Sequence, residues 1–481
     1  MRGVTKRIFL NALECKTLGW FLRSTDDSGP LSLADRFRME QGSQIGTLSR
    51  TLYPDGIHVA PGTGAAERTA RLMADPKTQV LFEATFVVGE STARADVLDR
   101  TESGWKVVEV KSSLEDTDRM DELVADLTYT VVAARRAGAT VSAASLLLLS
   151  REYRKSMPIS KLFTEVDQTE AVEEFTPPLE AVWEDIERAT GAPEKPAPAL
   201  IKACKECSFF ATACHGAGVV HPVFEIPRLH EKKLADLSSL GILEIEELPD
   251  GFALTPAQAR VVDAVRTNRA FIGALRRQLD AVTWPASYLD FESTQTAIPL
   301  YSELAPFEQI PTQYSIHRCS GPGRVDAHAD YLADPARDCR RELAEQLIRD
   351  LRTAGSVIVY SSFEKTRIRA LARKFPDLAP QLEAIQARLF DLLSVVQKEY
   401  YHPAFRGSAS IKNVLPVLVP ELSYDGMEIG DGDAASAVFA LIAMGKHGEE
   451  ESGRLLELLR AYCRQDTLAM VKLHAALLTV W

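Results

Sequence analysis

QVLFEATFVVGESTARADVLDRTESGWKVVEVKS, residues 79–112, is the stretch on which the fold class turns. It reads as two short β-rich strands joined by a polar turn. In the run Trp105–Lys111, residues 105, 107, 109 and 111 share one face, and Glu109 and Lys111 therefore project together. Pairing through the turn at about 100–104 sets Asp96 beside Glu109, and Glu83 on the same β-rich run is a third candidate ligand. Such carboxylates can hold a divalent ion that polarises a phosphoryl oxygen and activates water, while an adjacent ammonium orients that water or neutralises charge. An exposed hairpin with a surface Glu/Lys pair has the same pattern, so context decides.

Outward from this segment, 481 residues correspond to two or three domains. Hydrophobic residues make up 46% and charged residues 25%, which excludes collagen-like, mucin-like and wholly disordered classes. The formal net charge of −12 excludes a nonspecific polycation, so any nucleic-acid contact rests on local basic patches. Val141–Leu149 is the longest apolar run and is interrupted by Ser142 and Ser145, too short to span a bilayer. Basic Arg2, Lys6 and Arg7 precede a short apolar run cut off by Glu14 and Lys16, which argues against a secretory signal, and a cytoplasmic location is expected.

The organisation is read as α/β from strands alternating with helical patterns. A first segment closes with the proline-rich connector at 191–198; residues 221–283 follow as a mostly helical bridge, with Thr255-Pro256 as a helix start. The third segment runs from 284 to 481, with a strand at Tyr288–Glu292, a helix around Asp338–Arg352 and an apolar strand at Val357–Tyr360. The expected modules are thus 1–220, 221–283 and 284–481.

Cysteines supply a further pattern. Cys204, Cys207 and Cys214 have C-x2-C-x6-C spacing, and Cys15 lies far upstream, where a fourth thiolate can close a metal or cluster site. Buried thiols near a helix end are the plainer alternative. Cys319, Cys339 and Cys463 are read as ordinary thiols.

The third segment carries its own set. Asp290 and Glu292 sit at i and i+2 on one strand face; Glu364 opens a helix after an apolar strand; Tyr462 and Asp466 share one side of a helix. Four carboxylates and a phenol meet the need of a two-metal exonuclease, in which the tyrosine orients the attacking water. Between 365 and 412, nine Lys/Arg face four acids, a local excess of +5 that serves either as a binding surface or as a solvated helix face.

Cys15, the D…E-x-K core and C-x2-C-x6-C together resemble the RecB-like nucleases of the PD-(D/E)xK class that carry an iron–sulfur cluster, the CRISPR-associated exonuclease type, over about residues 5–220. The resemblance implies a restriction-endonuclease-like module, a 4Fe-4S cluster on Cys15, Cys204, Cys207 and Cys214, a Mg²⁺ or Mn²⁺ site at Glu83, Asp96 and Glu109, and Lys111 as catalytic lysine. Zinc is the rival for the thiolates. Two positions depart from that pattern: the stretch around Glu40 has no histidine, and Asp126-Leu-Thr-Tyr129-Thr130 stands where a glutamine with a tyrosine is usual.

Residues 288–475 resemble the DEDD exonucleases, the DnaQ-like branch of the RNase H-like fold, in an uncharacterised family often found C-terminal to RecB-like modules. This implies catalytic and metal-binding roles for Asp290, Glu292, Glu364 and Asp466 with Tyr462, and marks Asp391 and Gly407–Lys412 as recurrent features, Ser410 and Lys412 being candidate phosphate contacts. The expected function is a metal-dependent nuclease acting on DNA or RNA ends in repair, processing or phage defence. The alternative is a catalytically degenerate nucleic-acid-binding scaffold for a partner nuclease or helicase. No P-loop appears, so unwinding would come from such a partner.

Overall fold

A computed structural model describes residues 2–25, 31–351 and 354–480; Arg352 and Trp481, at the ends of an expected helix and of the third module, lie outside them. Two α/β units are present. One comprises the chain to Ala199 together with Thr296–Glu308, the other Leu200–Gln295 and the chain from Gln309 onward. The division therefore falls at 199/200, ahead of the cysteine-rich segment, where the sequence pattern had set it at 220. The helical bridge is part of the second unit.

The strands are β1 (Val4–Thr5), β2 (Ile57–His58), β3 (Val80–Val88), β4 (Ser91–Thr101), β5 (Gly104–Leu114), β6 (Val141–Leu149) and β7 (Phe163–Asp167) in the first unit. They form one mixed sheet in the order β2-β3-β4-β5-β6-β7, with β1 pairing on β4. The quoted stretch supplies its three central antiparallel strands. The β4–β5 turn closes at Thr101↔Gly104, and Gly104 is required there: at φ +152° a Cβ would lie 2.3 Å from the Thr140 carbonyl oxygen. Helix Met120–Arg136 connects parallel β5 and β6, burying Leu127 and Val131 against Leu146 and Trp105. Its other side packs Tyr129 between Phe9 and Trp183, with ring centroids 4.9 and 5.1 Å away.

The second unit contains β8 (Phe271–Ile272), β9 (Ala286–Thr294), β10 (Ile310–Gly321), β11 (Arg324–Leu332), β12 (Val357–Val359), β13 (Leu389–Asp391) and β14 (Tyr400–Tyr401). Its main sheet has the order β11-β10-β9-β12-β13, antiparallel on one side of β9 and parallel on the other; β14 and β8 form a separate pair. Central β9 is covered on both faces. Leu289 and Phe291 enter a cluster with Leu343, Leu347 and Ile368, while Tyr288 faces Met470, Val471 and Leu473 of helix Glu449–Leu477.

The segment Leu200–Val265 has its own small core, in which Cys204, Phe210, Val223, Leu237 and Val262 meet. Thr255 caps helix Pro256–Thr267 through a capping box with Gln258. Among the described residues, no helix is long and apolar enough to cross a membrane.

Candidate metal centre

The alternation of β9 sends Asp290 and Glu292 to the same face as Tyr288, toward helix Glu449–Leu477. Three hydrogen bonds fix the helix against the sheet: Tyr288 to His474 Nδ1 at 2.8 Å, Ser315 to Thr467 at 2.8 Å, and Gln313 Nε2 to the Leu459 carbonyl at 3.1 Å. That register brings Cys463 and Asp466 over the two acids. Donor atoms of Asp290, Glu292 and Cys463 all lie within 4.8 Å of one another, the one such group of three His, Cys, Asp or Glu side chains among the described residues. Glu364, at the start of helix Phe363–Lys374, adds a fourth acid; its Oε2 accepts from Ser361 Oγ at 3.0 Å. The structure thus brings together all four acids expected from the third segment.

Their electrostatics are unusual. Glu292, Glu364 and Asp466 are at most 9% exposed, and among the described residues none of the four acids is ion-paired to Lys, Arg or His. Burial, then the neighbouring Asp466 charge, raises both Asp290 and Glu292 well above the ordinary carboxylate range. Burial alone accounts for most of the rise of Glu364 to about 7 and of Asp466 to about 6. Four such groups held together are neutralised either by taking up protons or by a cation. Their oxygens suit a hard divalent ion. Cys463 stands with them: burial and the nearby acids raise its thiol well above the ordinary range, and Sγ donates weakly to Asp290 Oδ2 at 3.8 Å.

Tyr462 is buried beside Asp466, and its phenol is held protonated by burial and then by the Asp466 charge. Two neighbours complete the centre. Tyr424 donates to Asp466 Oδ1 at 2.6 Å, although Ser423-Tyr424-Asp425 matches no motif in the sequence. Exposed Lys412 reaches the Gly430 carbonyl at 2.6 Å, its ammonium 5.7 and 5.9 Å from the Tyr424 and Tyr462 ring centroids. Asp391 caps helix Leu392–Glu399 through Ser394, and Ser410 precedes the helix that carries Lys412, its carbonyl accepting the Asn413 N–H.

The first unit gathers its predicted residues differently. Asp96 does lie beside Glu109, accepting the Val110 N–H at 2.8 Å, and burial followed by the Glu109 charge raises it to about 7. Glu83 occupies a positive-φ position (58°) and turns to Arg50 at 2.8 Å and Arg94 at 3.5 Å. Glu109 is claimed by two ammonium groups: Lys6 Nζ at 2.5 Å and Lys111 Nζ at 3.0 Å. Both lysines also hold Asp126, at 2.9 and 2.6 Å. Lys6 carries no motif signal in the sequence, yet it stands on the acid face where a divalent ion was expected. Burial by itself would lower the Lys111 pKa, but Glu109 and Asp126 keep it raised. A cavity of about 280 Å³ opens beside Arg50, Glu83 and Asp96.

The cysteines are divided. Cys15 lies in the first unit, its sulfur accepting the Leu18 N–H at 3.4 Å as a helix cap, whereas Cys204, Cys207 and Cys214 lie in the second. None of the seven forms a disulfide. As placed, Cys204, Cys207 and Cys214 do not bring three sulfurs within 4.8 Å of one another.

Residues 287–410 match the model of a family described as a domain of unknown function, DUF2779. The match holds Asp290, Glu292 and Glu364 and ends before Tyr462 and Asp466. The chain is 24% identical over 206 residues to the uncharacterized protein MG366 of Mycoplasma genitalium, covering 39% of this chain and 31% of that protein. It is 26% identical over 206 residues to the uncharacterized protein UU173 of Ureaplasma parvum, covering 38% and 30%. The chain thus spans about a third of the length of the curated relatives it matches.

Two outcomes follow from these charges. Protons and a divalent ion compete for the raised carboxylates, so the rise in thermal midpoint on adding Mn²⁺ is expected to grow as pH increases from about 5.5 to about 8. Without metal the raised carboxylates cost stability as pH rises, whereas His317 and His474, lowered by burial to about 4, gain stability as pH rises toward their ordinary value. The histidines act with and without metal, so the difference between the two melts isolates the acids; a Mn²⁺ effect independent of pH contradicts this site. In the first unit, Lys6→Met is expected to lower stability by about 1–3 kcal/mol, and less than additively with Glu109→Gln, in urea unfolding of the single and double variants.

Proposed function

We propose that the chain is a metal-dependent nuclease whose catalytic centre lies in the second unit, with the chemistry of a DEDD-type exonuclease. The observation that carries this reading is the set of four mutually repelling carboxylates, three buried and Asp290 half-buried, with a phenol beside them. The mixed sheet with the paired acids on its central strand is compatible with an RNase H-like, DnaQ-type module. Bound Mg²⁺ or Mn²⁺ would supply charge neutralisation and polarise the phosphodiester.

The chain's own groups divide the remaining work. Asp290 and Glu292 from β9, Glu364 and Asp466 would hold the ions. Tyr462 remains a neutral phenol and orients the attacking water by its hydroxyl. Lys412, exposed at the rim, offers an ammonium to a phosphate, and Tyr424 fixes the Asp466 carboxylate through its hydrogen bond. The substrate is a nucleic-acid strand, DNA or RNA.

The first unit supports a binding role better than a second catalytic centre, because Lys6 and Lys111 already neutralise Glu109 and Asp126. A RecB-like ancestry accounts for its D…E-x-K pattern. The iron–sulfur cluster enters this reading on the spacing of Cys204, Cys207 and Cys214, with Cys15 as the fourth ligand that the resemblance implies. Anaerobically purified protein that is colourless and lacks iron and sulfide removes it, and zinc in their place transfers the site to the rival metal.

The decisive experiment uses end-labelled single- and double-stranded DNA and RNA with Mg²⁺ or Mn²⁺. Wild-type protein is expected to degrade at least one substrate; Asp290→Asn should lose about 10³-fold or more, and Tyr462→Phe about 10²-fold. Lys111→Met is expected to retain cleavage. Binding without cleavage on every substrate supports the scaffold reading, and loss in Lys111→Met but not in Asp290→Asn moves the chemistry to the first unit.

A further inference from the structure

Two cavities adjoin each other in the second unit, outside the metal centre. The larger-lobed one, about 770 Å³, and its neighbour of about 510 Å³ share Gln397, Gly407, Ser408 and Ala409 as a common wall. That wall is rigidly placed: Gly407 has φ +73°, and a Cβ there would lie 2.4 Å from Glu225 Cα, so only glycine lets the strap seat against the helical segment. The strap continues through Ser410 into the helix bearing Lys412, the cation at the rim of the metal centre. Tyr360 ties the two regions together by donating to the Ala409 carbonyl at 2.9 Å.

The lining has a chemistry unlike the rest of the chain. Arg228, Arg260, Lys398, Lys205 and Arg406 line the two cavities with one lining acid, Glu206, and one buried acid behind them, Glu225, paired to Arg406 at 3.7 Å, on a protein whose net charge is −12. Aromatic surface accompanies the cations: Tyr401 is half-buried, edge-on to Phe405 at 6.0 Å, and the Arg260 guanidinium lies 5.0 Å from the Phe271 ring centroid. Cations that track phosphates together with rings that accept stacked bases are the two elements of a single-strand-binding groove. A purely apolar ligand would leave the arginines without purpose, and a duplex would not place its bases against the recessed rings.

We infer that this double cavity is the binding track for the unpaired nucleic-acid strand whose end enters the metal centre, with a base against Tyr401 and phosphates on Arg228 and Lys398. The inference deepens the nuclease reading and rests on it for the direction of the strand, but binding is measurable without cleavage. The test uses the full chain carrying Asp290→Asn in EDTA, with fluorescein-labelled twelve-nucleotide oligo-dT and oligo-U and a duplex of equal length, read by fluorescence anisotropy. The paired substitution Arg228→Glu and Lys398→Glu, both at exposed side chains, is expected to weaken single-strand binding about tenfold or more and to flatten its salt dependence. Tyr401→Ala should weaken it about tenfold, with Tyr401→Phe close to the parent because the ring is retained. An unchanged affinity in the charge-reversed and Tyr401→Ala chains, with thermal midpoints intact, overturns the track, as does equal loss in Tyr401→Phe and Tyr401→Ala. Cleavage by the otherwise wild-type chain separates the two ideas. If dinucleotide cleavage persists while the twelve-mer KM rises in the charge-reversed chain, both stand; if no substrate is cleaved but the binding losses appear, the track stands and the nuclease reading falls.

Discussion

Repulsion among Asp290, Glu292, Glu364 and Asp466 is the constraint around which the second unit is built. Each carboxylate removed from water costs several kcal/mol unless a cation or hydrogen bonds compensate. Here the compensation within the protein is partial: Ser361 on Glu364, Tyr424 on Asp466, and a weak thiol contact from Cys463 to Asp290. The raised pKa directions express the remainder as protons the site would hold in the absence of metal. A fold that tolerates this arrangement must draw its stability from elsewhere.

It does so at the interface between sheet and long helix. Tyr288 lies between the acid face and the apolar cluster of Met470, Val471 and Leu473, and its hydroxyl is satisfied by His474. Ser315, His317 and Thr467 form a second buried set, with Thr467 Oγ1 2.8 Å from both partners. Such buried polar contacts specify one register of helix on sheet, because a shift of one residue would break several of them at once. That register in turn fixes where Tyr462 and Asp466 project. The geometry of the acidic cluster is therefore a consequence of hydrogen bonds up to a helical turn or two away from the acids.

How much of this was legible in the sequence differs between the two units. Strand alternation in Tyr288–Glu292 and helical spacing in Tyr462–Asp466 are local rules, so the four acids and the phenol were readable before any fold was known, as were the antiparallel strands of 79–112. Tyr424 was not, since an isolated tyrosine in a loop has no periodicity and its partner is 42 residues away. Lys6 was hidden for the same reason, its contact with Glu109 spanning 103 residues. Cys463 reads from the sequence as an ordinary thiol, and only the helix register reveals that its sulfur faces Asp290. The unit boundary at 199/200 was obscured because the proline-rich connector precedes the cysteines, whereas Cys204 and Phe210 pack with Val223 and Val262 beyond them.

The two acidic clusters make a controlled comparison within one chain. Both place a pair of strand carboxylates on one face, and both have further acids supplied by neighbouring elements. In the first unit two lysines and two arginines reach Glu109, Asp126 and Glu83, which are ion-paired, and only Asp96, bonded to the Val110 N–H, keeps the raised pKa of an uncompensated acid. In the second unit the nearest cation, Lys412, stays at the rim and bonds a backbone carbonyl. Identical residue types thus lead to opposite electrostatic states, and the difference lies in whether a helix or loop delivers an internal cation. An internal ammonium is a permanent, singly charged substitute that fixes a site's structure; its absence leaves negative potential that a mobile divalent ion and a phosphodiester can share. On that ground the proposed chemistry belongs to the unit whose acids are left uncompensated, even though the motif with the more familiar spacing sits in the other.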